Sequence, residues 1–177
     1  ILDFNKIEAG KIGFESIEMN LKNISENLVA GFGTLAKEKG IALKLIMDDG
    51  VNCKVLGDPT RTSQIIGNLI HNAIKFTKRG HVALKINILS RDELRLRLLI
   101  EIEDTGIGIA QEKQQMIFEQ FTQSDNSTSR NFGGTGLGLA ISKKLLALQG
   151  AELKLKSEPG KGSTFYFEIS YPIIPSE

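Results

Sequence analysis

The stretch Val82-Ala83-Leu84-Lys85-Ile86-Asn87-Ile88-Leu89-Ser90-Arg91-Asp92-Glu93-Leu94-Arg95-Leu96-Arg97-Leu98-Leu99-Ile100-Glu101-Ile102-Glu103-Asp104 decides the fold class. Apolar and polar side chains alternate on both sides of a polar turn, Ser90 to Glu93. Period two marks a strand with one face in a core, so the stretch predicts a hairpin of strands near 82–90 and 94–104. Upstream, Gly57-Asp58-Pro59 starts a helix: Asp58 can cap free amides and Pro59 suits the first helical position. That helix runs to about Thr77, with Ile65, Ile66, Leu69, Ile70, Ala73 and Ile74 apolar. Downstream, a short helix near 111–118 precedes the polar stretch Thr122 to Arg130, and a further helix covers about 136–149. Strands near 152–157 and 163–171 close a last hairpin across Pro159-Gly160-Lys161-Gly162.

Toward the N-terminus, Ile17, Met19 and Leu21 alternate as a strand, and Ile24, Leu28, Phe32 and Leu35 recur at helical period up to Lys39-Gly40. Ile41 to Met47 reads as another strand. Antiparallel hairpins with helices between them predict an α+β two-layer sandwich, a mixed, mostly antiparallel sheet packed on helices. A doubly wound parallel sheet does not fit this order.

Composition narrows the function classes. The chain has 177 residues, which is one domain with at most a fragment of a neighbour. Its apolar fraction of 41% supplies a core. Twenty-two basic residues against 21 acidic leave a net charge of +1, so bulk charge gives nucleic-acid binding no support. A single cysteine, Cys53, excludes an internal disulfide framework and suits a reducing compartment. No apolar run reaches the ~20 residues that span a bilayer, and no membrane contact is expected of this piece. The chain starts at Ile1 inside a helical pattern, as expected of a piece of a longer protein.

Two nucleotide signatures fail. Gly160-Lys161-Gly162-Ser163-Thr164 has neither the spacing nor the setting of a P-loop, and neither Gly106-Ile107-Gly108 nor Gly134-Thr135-Gly136 has the third glycine of a dinucleotide fingerprint. Four other segments carry chemistry. In Asn68-Leu69-Ile70-His71-Asn72-Ala73-Ile74-Lys75-Phe76, the residues Asn68, Asn72 and Lys75 fall on one helix face. Two amide oxygens and an ammonium on a stripe suit a hydrated Mg²⁺ with phosphate, and equally an ordinary solvated face. Asp104-Thr105-Gly106-Ile107-Gly108-Ile109 places a carboxylate at a strand end beside glycines. There it can accept a bond from a base's exocyclic amine while the glycines admit a flat ring, or simply close an Asx turn. Gly133-Gly134-Thr135-Gly136-Leu137-Gly138 runs into a helix whose open amides can bind an anion. The fourth segment, Gly160-Lys161-Gly162-Ser163-Thr164-Phe165, is by itself only a turn.

In this order and spacing the four segments resemble the N, G1, G2 and G3 boxes of histidine-kinase catalytic domains. These domains belong to the superfamily that also holds DNA gyrase, MutL and the ninety-kilodalton heat-shock chaperone, with the Bergerat ATP-binding fold. Phe118-Glu119-Gln120-Phe121 resembles the F box that the gyrase-like relatives lack. Residues 1–12, with Ile1 to Gly10 at their core, resemble the end of a dimerisation and phosphotransfer hairpin, leaving 13–177 as the catalytic domain. The resemblance implies ATP and Mg²⁺ as cofactors. It implies Asn72 as the metal ligand, with Asn68 and Lys75 near the phosphates. Asp104 would read the adenine amine, with Gly106, Gly108 and Ile109 beside the base. A lid at about 122–136 would supply Arg130 toward the γ-phosphate, and Gly134, Thr135, Gly136, Leu137 and Gly138 would close on the phosphates. Asn68, Lys75 and Arg130 are the expected catalytic set. By the same resemblance Phe121 would border the nucleotide and, like Phe118, anchor the lid, while Thr164 would stand on the far side of the adenine.

The resemblance also bears on reaction type. Hydrolytic relatives carry a glutamate one turn before the metal-binding asparagine, and here that position is Asn68, which cannot serve as a base. Transfer of the γ-phosphoryl to a histidine is therefore expected, followed by a receiver aspartate of a response regulator. Neither His71-Asn72 nor His81-Val82 has the acidic successor of the family's acceptor histidine, so the acceptor is expected upstream, on the hairpin of the same protein or its dimer partner. The cytoplasmic side of a membrane-bound sensor, hybrid or otherwise, is the expected setting. Arg130-Asn131-Phe132-Gly133-Gly134 lacks one lid cation that such kinases often carry. That departure keeps a nucleotide-binding regulatory pseudokinase as the rival reading, with an ATPase of the same superfamily behind it.

Overall fold

The computed structural model describes residues 13–118 and 137–175, Leu137 by its backbone only. The first helix, α1 (Leu21–Glu38), is capped by Asn20, whose side chain accepts the Asn23 amide at 3.2 Å, and Gly40 at φ 72° turns the chain out of it. The second, α2 (Pro59–Phe76), starts as its sequence demands. One oxygen of the buried Asp58 takes the Arg61 amide at 2.9 Å, and the other takes the Glu15 amide at 2.9 Å. Asp58 thus caps the helix and fastens the entering chain to it. A four-residue helix α3 (Gln111–Gln114) leads into a single 3₁₀ turn at Met116–Phe118, and α4 (Leu137–Leu148) ends before Gly150.

Strands β1 (Ile17–Met19) and β3 (Val55–Gly57) form a small antiparallel pair. The main sheet holds β2 (Ala42–Met47), β4 (His81–Arg91), β5 (Arg95–Asp104), β6 (Lys154–Glu158) and β7 (Gly162–Pro172), in the order β2-β4-β5-β7-β6. Only β2 and β4 run parallel; every other pairing in this sheet is antiparallel, as the sequence reading expects of a mixed, mostly antiparallel sheet. The short β3 carries no period of its own and went unread in the sequence. Its register against Ile17, Glu18 and Met19 is what makes it a strand.

One face of the sheet is buried. Val82, Leu84 and Ile86, then Leu96, Leu98, Ile100 and Ile102, then Phe165, Phe167 and Ile169 pack as one cluster with Ile66, Leu69, Ile70 and Ile74 of α2 and Leu145 of α4. Burying each of these side chains is worth about 1.5–3 kcal/mol, so the sheet and α2 are fixed against each other along their length. Two ends consequently meet: the C-terminal end of β5, bearing Asp104, and the C-terminal half of α2, bearing Asn68, Asn72 and Lys75.

Candidate functional site

Asp104 is the last residue of β5 and only 5% exposed. Its alternation partners on β5 face the core, so the strand's own period carries this carboxylate inward. Oδ1 accepts the Gly106 amide at 2.9 Å, closing an Asx turn, and the Ser163 amide at 3.3 Å from the neighbouring strand. Burial pushes the Asp104 carboxyl above its ordinary range, the two amide bonds pull it back in part, and the adjacent Glu103 adds a smaller upward push. The result is a carboxylate held by backbone on one oxygen, with no hydrogen bond to Oδ2 among the described residues.

The glycines after it carry a packing duty. A Cβ at Gly106 would collide with the Phe76 carbonyl oxygen at the end of α2, and one at Gly108, where φ is 72°, with the Glu158 carbonyl of the last hairpin. These positions need glycine because protein backbone lies where a side chain would project. The loop is strapped to the hairpin as well. The Gly160 amide donates to the Ile107 carbonyl at 2.8 Å, the Ile109 amide to the Ser157 hydroxyl at 2.7 Å, and the Gln114 side chain to the Ile109 carbonyl at 2.9 Å.

On α2, Asn68, Asn72 and Lys75 are all half-buried and share a face. Asn68 points its amide nitrogen at the Ser142 hydroxyl of α4, 3.4 Å away. Gly138 at the start of α4 is close enough that a Cβ there would lie 3.9 Å from the Asn68 side chain. The head of α4 therefore stands over the first position of the stripe. Partial burial lowers the Lys75 pKa from its usual value, and its ammonium sits 6.0 Å from the Phe76 ring centre. His71 is exposed, its ring 6.2 Å from that of Phe32. Among the described residues no group of three or more histidine, cysteine or acidic side chains could hold a metal. The donors available on this stripe are the neutral amide oxygens of Asn68 and Asn72. That fits Mg²⁺, which keeps several waters and takes its remaining ligands from phosphate.

Thr164 does not share Asp104's face. The register pairs Asp104 with Ser163 and Glu103 with Thr164, and directly opposed residues of an antiparallel pair point the same way. Ser163 is buried beside Asp104, whereas Thr164 stands with Glu103 and Lys156 on the outer face. A cleft of about 400 Å³ at this end of the sheet is lined by Asp104, Ser163 and Thr164 together with Glu103, Lys156 and Lys161. None of Asn68, Asn72 or Lys75 lines it. Ser163 and Ser157 are the residues that sequence reasoning passed over. Serine in a strand has no motif, and only the register shows which of Ser163 and Thr164 turns inward.

Phe118 lies edge-on to Phe165 at 6.0 Å, with the Lys143 ammonium 5.5 Å from its ring centre, which places it between β7 and α4. Phe121, Arg130, Gly134, Thr135 and Gly136, and with them all of the expected lid at 122–136, lie outside the described residues, as do 1–12 and the side chain of Leu137.

Known proteins share this fold. The profile of the histidine kinase-, DNA gyrase B-, and HSP90-like ATPases matches residues 57–173, from the start of α2 through the last strand. Hybrid signal transduction histidine kinase F of Dictyostelium discoideum is 41% identical over 177 residues, covering 99% of this chain and 16% of that protein. Signal transduction histidine-protein kinase BarA of Escherichia coli is 40% identical over 176 residues, covering 99% of this chain and 19% of that protein. The chain thus spans less than a fifth of the length of these relatives (16% and 19%). Among solved structures, full-length ShkA in complex with AMPPNP superposes with a TM-score of 0.83 at 30% identity, covering 99% of this chain and 35% of that one. The chain belongs to the histidine kinase-, DNA gyrase B-, and HSP90-like ATPase family, and within it to the catalytic, ATP-binding domains of sensor histidine kinases.

Proposed function

We propose that this domain holds Mg-ATP between Asp104 and the α2 stripe and gives its γ-phosphoryl group to a histidine on an upstream phosphotransfer hairpin, in the same protein or its dimer partner. Asp104 accepts from the adenine amine; Ser163 stands beside it. Asn72 offers its amide oxygen to Mg²⁺, which would neutralise charge on the phosphates when bound. Asn68 and Lys75 lie on the same stripe toward the phosphates, and Arg130 with the Gly134 to Gly138 segment closes over them. A receiver aspartate of a response regulator then takes the phosphate from the histidine. The setting is the cytoplasmic part of a membrane-bound sensor, with neither nucleic acid nor the membrane touching this domain.

The observation that carries this reading is the absence of a base at the head of the stripe. Asn68 is neutral and its amide nitrogen is engaged with Ser142. Nothing at that position can deprotonate water, whereas transfer to a histidine needs chiefly positioning and charge neutralisation. A lowered Lys75 pKa reflects the same partly desolvated wall, in which electrostatic contacts are stronger than in water.

The test mixes the chain with Mg-ATP and a separately made phosphotransfer hairpin, and follows acid-labile phosphate on the hairpin. Transfer to the hairpin with slow release of free phosphate is the expected result. Tight ATP binding without transfer would instead establish the regulatory pseudokinase, the reading that Asn131 favours. Rapid phosphate release without the acceptor would establish an ATPase.

A further inference from the structure

We infer that Ser157, a residue of the β6 edge strand, is the positioning residue that makes this site choose a 6-amino over a 6-oxo purine. The inference rests on the placement of the base at Asp104 and goes on to say what fixes the donor and acceptor pattern there. The Ser157 hydroxyl stands at a junction. It receives the Ile109 amide at 2.7 Å, lies 3.0 Å from the Gly162 carbonyl oxygen, and lies 2.7 Å from the Ser163 hydroxyl. A hydroxyl has one proton and two lone pairs. The Ile109 amide can only donate and the Gly162 carbonyl can only accept. All three contacts are satisfied together when Ser157 gives its proton to Gly162 and takes a proton from Ser163.

That assignment orients Ser163. Its proton points away along the hairpin, and only lone pairs remain on its other side. Asp104, paired with Ser163 across the strands, already uses Oδ1 for two amides. The pair therefore shows a ligand nothing but acceptors. An exocyclic amine, with two N–H donors, satisfies such a wall; a carbonyl oxygen at the same ring position meets lone pairs against lone pairs. Asp104 alone leaves an escape, because a freely rotating Ser163 hydroxyl can turn and donate to a 6-oxo group. Ser157 closes it. Its hydroxyl is taken up by Ile109, Gly162 and Ser163, so Ser157 is a positioning residue, acting through Ser163.

Dissociation constants for ATP and GTP on the 177-residue chain test this, with the ratio of the two as the readout. Ser157→Ala is expected to narrow the preference for ATP by about three- to tenfold, the value of one ordinary hydrogen bond. Ser157→Thr, which keeps the hydroxyl, is expected to restore it. Ser157→Cys, a weaker donor of similar size, is expected to fall between and serves if the alanine variant does not fold. In a Ser163→Ala background, Ser157→Ala is expected to leave the ratio where Ser163→Ala alone puts it. Equal weakening of both nucleotides by Ser157→Ala or Ser157→Cys would overturn the inference and leave Ser157 a merely structural strap. So would an undiminished effect in the Ser163→Ala background. Asp104→Asn separates the two levels: unchanged ATP affinity there would remove the base site itself, whereas weakened affinity with an insensitive Ser157 would remove only this inference.

Discussion

The two halves of the site are built in opposite ways. At the end of β5, Asp104 is buried, held by two backbone amides and walled by glycines that touch neighbouring backbone. On α2, Asn72 and Lys75 project from a helix face, half-buried, and among the described residues their side chains make no hydrogen bond. The proposed base side is thus preorganised by the fold, and its atoms could not move without moving the sheet. The phosphate side depends on what arrives to meet it. A ligand that is rigid at one end and reactive at the other is suited by such a division: orientation is set by the purine, and charge is gathered at the phosphates.

This contrast predicts that function and stability separate by region. Asn72→Ala is expected to lower phosphoryl transfer to the hairpin by at least about a hundredfold, the scale of losing one transition-state contact, while changing folding stability by no more than about 0.5 kcal/mol, as for a surface position. Phosphate transfer and urea denaturation on the same preparation check both halves. A large stability loss at Asn72 would break the distinction between the regions.

Gly162→Ala makes the complementary case. Its φ is 114°, and a Cβ would collide with the Asp104 carbonyl oxygen, so the hairpin must shift away from β5. A stability loss of about 2–3 kcal/mol is expected from the strain and the displaced backbone, with nucleotide affinity falling as well, since Ser163 moves with it. Denaturant midpoints measure the first effect and calorimetric titration the second. Wild-type stability in this variant would show that the corner is not clamped.

Asp104→Asn is milder for the fold and still specific for the ligand. An asparagine oxygen can keep both amide bonds, and removing a buried charge costs the folded state nothing. Adenine nucleotides are expected to bind at least about tenfold more weakly, the loss of a hydrogen bond to a charged group, with an unlowered melting temperature. Equilibrium binding decides it; undiminished affinity would mean that the base lies elsewhere.

The same two halves differ in how far they could be read from the chain. The α2 stripe was legible because helix spacing puts Asn68, Asn72 and Lys75 on one face whatever surrounds them, and Asp58-Pro59 marks where the helix starts. The β5 hairpin was legible through its alternation, although the strand runs one residue past the expected turn start, to Arg91, and Asp92 closes the turn by accepting the Leu94 and Arg95 amides at 2.7 and 2.8 Å. The corner itself was only half legible. Asp104 announces itself at a strand end, but whether Ser163 or Thr164 stands beside it depends on the parity of β7 against β5. A slip of one residue exchanges the two faces. The register that settles it is a tertiary fact. Gly106 and Gly108 are half legible in the same manner: the sequence shows that glycine is present, and only the packing of Phe76 and Glu158 shows what a side chain there would meet.

Proton titration gives the finest test of the contrast, because neighbouring carboxylates on β5 respond with opposite signs. Glu103, on the outer face, is held below its usual range by the Lys85 ammonium 2.7 Å away, with His81 at 3.3 Å adding less. A depressed folded value stabilises the protein above the unfolded value and is lost as pH falls through the folded one. Glu103 is about a third exposed (34%), so solvent screening keeps that contribution small. Asp104 is shifted the other way, chiefly by burial. Its folded form holds a proton more tightly than the unfolded chain does, so protonation there favours folding and that contribution fades as pH rises through the raised value. For binding, the consequence is reversed: the carboxylate proposed to accept the amine is titrated away earlier on acidification than an ordinary aspartate would be. ATP affinity of the wild type is therefore expected to decline as pH is lowered from neutrality, by less than the roughly tenfold loss in Asp104→Asn, while the fold persists. The variant, with nothing to protonate there, keeps its residual affinity apart from the nucleotide's own titration, which the difference between the two curves removes. Parallel curves would mean that Asp104 is not the group that meets the base, and the clamped half of the comparison would lose its functional meaning.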